Sequence, residues 1–424
     1  MYPLYIDPGT GSMLFSILIG AAATLYFLAR ALFIKVKLRL SGGKSSPFTA
    51  GPYIIYSEGE QYWNVFKGVL DAFEKRETAV LYLTSSRDDP FFAQSYRYIR
   101  GEFIGEGNRA FARLNLVSAG VVLMTTPGLD VYQLKRSKQV KHYAHILHAP
   151  SDAVMYRMFG IDYFDSILLT GDYQAKDIRA LEKLRGLPEK RLVTVGCTYL
   201  DEYAERIKNP GEALPGDTPG DPGEAPHRFT VLVSPSWGKS ALLSKYGARL
   251  LDPLVKTGWR IVVRPHPQSK KSEAAMLAAL EARYGADLEW DRNRENIQAL
   301  AGADVMISDF SGIIFDFAFL FDKPIIYVGG PQGVRMGVRM DLRPYDADDL
   351  ADEPWQFRTL REIGIELEED SLDSIGELIE KARDSEELRA ARRAARETAW
   401  QFPGEAGERT AAFLIAVNEG EGHA

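Results

Sequence analysis

Cysteine is nearly missing from this sequence: Cys197 stands alone among 424 residues. A disulfide within the chain is therefore excluded, and a cysteine-built metal site with it, which suits a reducing compartment. Excess positive charge is missing too. Fifty-one Lys and Arg face 58 Asp and Glu, for a net charge of −7, so nucleic acid is not an expected partner and any anionic ligand needs a local cluster of donors. Histidine is scarce, with six in all. There is no internal repeat, no GxxxxGK[ST] phosphate loop and no GxSxG elbow, so neither a P-loop enzyme nor a serine hydrolase of that type is indicated. His145 and His148 form an HxxH pair, but on a strand they face opposite sides and no carboxylate accompanies them, so no metal is expected.

One long apolar run is present. Met13–Ala29 carries no charge, and Ala31–Ile34 extends it past Arg30. A helix over Met13–Ile34 spans roughly 33 Å, enough for a hydrocarbon core of about 30 Å. Basic residues follow the run (Arg30, Lys35, Lys37, Arg39, Lys44) and do not precede it, unlike a signal peptide. By the positive-inside rule this predicts a single-pass anchor with the body of the chain on the cytoplasmic side of the cell membrane. A helix lying in the interface is the alternative.

Beyond residue 50 the text alternates short β-rich runs with helical stretches. Pro52–Tyr56, Ala79–Leu83, Val121–Thr125, Tyr143–His148, Ser166–Thr170 and Leu192–Val195 read as strands. Gln61–Arg76, Ser151–Gly160, Tyr173–Leu184 and Tyr199–Lys208 read as helices. The segment 209–227 has five prolines, four glycines and four acidic residues, the composition of a solvated linker. Alternation then resumes with strands at Thr230–Val233, Arg260–Val263, Asp304–Ile307 and Pro324–Val328, and helices from Ala241, Ser272 and Ile313. The tail from Ser371 to Glu419 reads as helical. The expected class is α/β, with an anchor and basic flank at 1–44, a first Rossmann-like domain at 45–208, the linker at 209–227, and a second at 228–424 that includes the tail. Two such halves form a cleft, with ligands at the carboxyl ends of the strands.

The chemistry is sought there. Ser308-Asp309-Phe310-Ser311-Gly312 follows a strand and opens an apolar helix, a geometry that offers amides and a helix dipole to phosphate oxygens. An ordinary helix cap is the equal alternative. Asp316, set among apolar neighbours, needs a partner or a ligand if buried. Arg264 and His266 lie in Val263-Arg-Pro-His-Pro267, where two prolines stiffen the turn; arginine suits phosphate, and histidine can donate to it. His148 sits at a strand end in the first half. Ser234, Ser236, Trp237 and Gly238 form a possible donor loop after the first strand of the second half. Lys135, Arg136, Lys138 and Lys141 make a basic stretch that is either a solvated face or a surface for anionic lipid.

Taken together, these residues resemble the CDP-glycerol glycerophosphotransferase family, which builds teichoic-acid-like polymers at the inner membrane face. His148, the Arg264–Pro267 turn and the Ser308–Asp309–Ser311–Asp316 segment are similar to that family's cleft motifs. Ala149 departs from a usual glycine and Gly312 from a usual second serine. The resemblance implies a GT-B fold, a CDP-polyol as donor substrate, a lipid-linked acceptor hydroxyl, CMP as leaving group, and no metal or other cofactor. It implies His148 as base, His266 and Arg264 on the donor phosphates with Ser311 and Gly312, and Asp316 as an orienting group. A glycosyltransferase of the same fold using a nucleotide sugar, and a non-catalytic membrane-bound homologue, are the rival readings.

Overall fold

The computed structural model describes residues 19–22, 24–26, 28–29, 50–209, 228–293, 295–309, 311–329 and 345–420. The linker at 209–227, apart from Asn209, lies outside them. So does most of the apolar run, which is helical wherever it is described, with Ile19, Leu25, Tyr26 and Leu28 exposed. Among the described residues no helix is long and apolar enough to cross a membrane.

Residues from 51 onward form one compact unit built on two sheets. The first comprises β1 (Ala50–Ser57), β2 (Val80–Thr84), β3 (Ile99–Phe103), β4 (Ser118–Met124), β5 (Gln139–Ile146), β6 (Ser166–Leu169) and β7 (Arg191–Thr194), in the order β3-β2-β1-β4-β5-β6-β7. The second comprises β8 (Thr230–Val233), β9 (Arg260–Val263), β10 (Glu289–Trp290), β11 (Val305–Ser308), β12 (Ile325–Tyr327) and β13 (Ile365–Glu366), in the order β10-β9-β8-β11-β12-β13. Pairing is parallel, as in β4–β5 and β8–β11. Parallel sheets need cover on both faces, and the central strands are accordingly apolar on both. In β1, Tyr53 and Ile55 enter one core while Ile54 and Tyr56 enter the core on the opposite face. These are two Rossmann-like domains.

Seven of the helices bear on the cleft or on the contact between the domains: α1 (Trp63–Lys75), α2 (Ala175–Arg185), α3 (Thr198–Lys208), α4 (Ile313–Phe321), α5 (Trp355–Ile363), α6 (Glu386–Ala399) and α7 (Ala406–Glu419). The last helix of the tail, α7, does not stay with the second domain, whereas α6 packs against α4 and α5 there. Phe413 and Leu414 of α7 share a core with Val69 and Phe73 of α1, and Glu408 pairs with Arg76. The crossing is held by Asp201 of α3, whose carboxylate accepts from Trp400 Nε1 (2.8 Å), Gly404 N (2.7 Å) and Ala406 N (2.9 Å). The region Ser151–Gly160 also departs from its helical reading. It holds only a short 3-10 turn, Ala153–Met155, because the second domain supplies its hydrogen bonds.

Helices α1 and α7 touch backbone to backbone at Gly68 and Gly407, where a Cβ on residue 407 would stand 2.4 Å from the Gly68 carbonyl oxygen. Gly407→Ala must push the helices apart, and is expected to lower stability by roughly 1–3 kcal/mol. A urea midpoint equal to that of the parent would contradict this crossing.

Candidate active site

The first wall of the cleft is built after β5. The strand carries His145 into the interior, where it is fully buried, and the chain turns so that His148 stands at the carboxyl edge of the sheet. His148 Nδ1 lies 3.2 Å from Thr125 Oγ1 and 3.2 Å from the Tyr156 hydroxyl. The same hydroxyl is 3.1 Å from His145 Nε2. Tyr156 therefore bridges two histidines with a single proton. The edge of Tyr62 meets the His148 ring at 5.5 Å between centroids. Burial pushes His148 down to about 4 and His145 to about 3, because an apolar surround disfavours the imidazolium. Both rings are neutral at pH 7. With Nδ1 turned toward the hydroxyls, Nε2 is the nitrogen of His148 that takes no part in those contacts.

The second wall is made by three turns at the carboxyl edge of the other sheet. In the turn after β9, His266 Nδ1 accepts from Gln268 N at 3.1 Å. That contact fixes the neutral tautomer, so Nε2 carries the proton and is a donor. Burial also lowers the His266 pKa, while Glu273 opposes the shift. Trp237 stands against the ring at 6.4 Å. The turn after β11 brings Ser311 and Gly312 to the start of α4. There they line a pocket of about 180 Å³ with Ser151 and Met155 of the first domain and Gln356 of the second. Ser311 and Gly312 are thus cleft residues by placement, and His148 and His266 stand just beyond the carboxyl ends of β5 and β9.

The other expected donor ligands are otherwise engaged. Asp309 is buried, and its carboxylate accepts from Ser236 N (2.9 Å) and Leu242 N (2.8 Å). Ser308 Oγ donates to Ser234 O at 2.6 Å, and Gly238 N donates to Glu273. These contacts shape the loop of Ser234, Ser236, Trp237 and Gly238. Arg264 pairs with Asp291 at the next strand end. Asp316 accepts from the Tyr199 hydroxyl at 3.0 Å, across the contact between α4 and α3. The partners Thr125, Tyr156, Glu273, Asp291 and Tyr199 are not singled out by the sequence. Only Tyr156 carries a signal there, as a polar aromatic soon after His148. Among the described residues no three metal-binding side chains converge.

Comparison with known proteins bears on this geometry. Residues 177–329 match the model of the family described as CDP-glycerol:poly(glycerophosphate) glycerophosphotransferase. The match covers less than half of the chain. It contains Arg264, His266 and Ser308–Asp316, while His148 precedes it. The family is one of transferases. No curated protein matches the sequence. Among solved structures, the wall teichoic acid polymerase TagF aligns with a TM-score of 0.56 at 12% identity, covering 96% of this chain and 99% of its own. A TagF variant soaked with CDPG aligns at 0.54 and 13% identity, over 92% and 98%. The UDP-GlcNAc 2-epimerase of Methanocaldococcus jannaschii, with UDP-GlcNAc and UDP, aligns at 0.52 and 13%, over 86% and 99%. At such identity the likeness establishes the shared two-domain fold.

Asp316 supplies a test of the interior next to this site. Burial raises its carboxyl from 3.8 to about 7, so the folded state holds a proton that the unfolded chain releases at lower pH. Stability therefore falls as pH rises from about 4 to about 7. Asp316→Asn keeps an acceptor for Tyr199 and removes the charge. It is expected to raise stability at pH 8, by at most about 4 kcal/mol, and to change little at pH 4. Equal unfolding midpoints for parent and variant at pH 8 would contradict the assignment.

Proposed function

We propose that the protein transfers a polyol phosphate, such as glycerol phosphate, from a CDP-activated donor to the hydroxyl of a membrane-linked acceptor, in synthesis of a cell-envelope polymer. The observation that carries this reading is a pair of histidines, His148 and His266, one at the carboxyl edge of each sheet, with burial favouring the neutral ring in both. The family match over residues 177–329 supports the donor class.

The acceptor oxygen attacks the β-phosphorus of the donor, and the bond from that phosphorus to the oxygen of the CMP phosphate breaks. His148 Nε2 takes the hydroxyl proton, which a ring neutral at pH 7 can accept. His266 Nε2–H donates to the departing CMP phosphate, where charge develops. Ser311, Gly312 and the N-terminus of α4 hold phosphate oxygens. Asp309, Ser308 and Glu273 act by fixing the loop that carries Trp237, and Arg264 acts with Asp291 to stiffen the His266 turn. No metal or other cofactor enters this scheme. The run Met13–Ile34 anchors the chain in the cell membrane with both domains on the cytoplasmic side. Tethering concentrates the enzyme at a lipid-linked substrate.

A nucleotide-sugar reaction is the second reading, favoured by the fold shared with the UDP-GlcNAc 2-epimerase. Purified full-length protein, given CDP-glycerol, CDP-ribitol and a set of nucleotide sugars with a membrane extract as acceptor, separates the two. CMP release from a CDP-polyol is expected. Release of UDP or another nucleotide from a sugar donor, with the CDP-polyols inert, would overturn the proposal.

A further inference from the structure

Among the described residues from 50 to 420, seven large apolar side chains are exposed: Phe92, Leu116, Tyr132, Phe159, Tyr163, Leu184 and Phe402. Four of them gather at one place, the edge of the first sheet where its strands begin. Leu116 (59% exposed) lies two residues before β4, and Tyr132 (66%) belongs to the turn that leads into β5. Tyr163 (44%) lies just before β6, and Leu184 (61%) ends α2 on the way into β7.

Hydrogen bonds join these positions into one surface. Asn115, beside Leu116, donates to Gln133 O (3.0 Å) and accepts from Lys135 N (2.7 Å). Arg136 donates to Tyr163 O (2.6 Å) and pairs with Asp165 (2.8 Å). Arg185, next to Leu184, pairs with Asp162 at 2.7 Å. The surface is thus braced from beneath, with its apolar groups left outward. Lys135, Lys138, Lys141 and Lys183 are exposed on the same edge, and the Lys135 ammonium donates to Asp130 O at 2.9 Å. The chain also enters the first sheet here: β1 begins at Ala50, and Pro52 O abuts Gly120 of β4.

We propose that this edge docks on an anionic lipid bilayer, with the four apolar side chains entering the interface and the lysines meeting headgroup phosphates. Tyrosine and leucine ringed by lysine suit that boundary, and a chain of net charge −7 has reason to place these lysines against an anionic surface. The inference rests on the membrane reading given above and adds its orientation. The strand end that carries His148 faces the other way, about 26 Å from the lipid for the eight-residue β5. The acceptor hydroxyl must therefore be presented by an extended headgroup or a polymer end.

Full-length protein is floated with phosphatidylcholine vesicles, with and without phosphatidylglycerol, and its amide hydrogen exchange is compared with that in detergent. On phosphatidylglycerol vesicles, peptides covering residues 114–138, 159–165 and 183–189 are expected to exchange several-fold more slowly. The triple variant Lys135→Glu/Lys138→Glu/Lys141→Glu is expected to lose that protection and to keep its thermal midpoint. If the protein floats and these peptides exchange as they do in detergent, the docking edge is wrong and the anchor reading survives. If the protein does not float at all, the membrane reading falls and this inference falls with it.

Discussion

Asp346 is fully buried beneath a turn of the opposite domain, and the geometry of the first catalytic wall depends on that contact. Its carboxylate accepts from Phe159 N (2.6 Å) and Gly160 N (3.1 Å) and pairs with Arg185 at 2.8 Å. Its own amide donates to Tyr156 O at 2.9 Å. Burial still outweighs the arginine and raises the carboxyl to about 6, because a desolvated carboxylate is disfavoured. The turn it holds includes Phe159 at φ +67°, a backbone state that a bulky residue adopts only under constraint. Tyr156 begins that turn, and its hydroxyl orients His145 and His148. The first domain's histidine is thus set by a residue of the second, so the two walls are assembled as one object.

A second buried carboxylate repeats the arrangement nearby. Asp152, four residues after His148, accepts from Trp355 N (3.2 Å) and Gln356 N (2.7 Å) at the start of α5, where the helix dipole favours a negative charge. Asp201 does the same for the chain returning to the first domain. Three aspartates therefore secure the domain contacts by binding backbone amides, and Asp309 secures the loop around Trp237 in the same way. Among the described residues, the polar side chains lining the pocket between the domains are Ser151, Ser311 and Gln356. In this protein most carboxylates near the site build the backbone, and a small neutral set is left for chemistry.

The central strands are legible in the sequence because a parallel strand covered on both faces must be apolar throughout; Thr230–Val233 and Arg260–Val263 have the same bounds in the sequence pattern and in the fold. The edge strands Ile99–Phe103, Glu289–Trp290 and Ile365–Glu366 are not, since they are short and mix charge with apolar residues. Ser151–Gly160 carries a helix-like pattern that tertiary contacts from Asp346 and Gln174 override. Site positions at strand ends are legible for the same reason the strands are. What each side chain does is less so: Ser308, Asp309, Arg264 and Asp316 are polar groups at the right places whose partners lie far along the chain, as Tyr199 does for Asp316. Spacing identifies such groups and leaves their partners open.

The central claim is that one cleft divides its work between a base from the first domain and a phosphate donor from the second. Calorimetric titration of CMP into His148→Ala and His266→Ala tests it most directly. His266→Ala is expected to weaken CMP binding about ten- to a hundredfold, the loss of a hydrogen bond to a charged phosphate of roughly 1.5–3 kcal/mol. His148→Ala should bind CMP as the parent does, because its nitrogen faces the acceptor. Equal losses in both variants, or none in either, would contradict the division of roles.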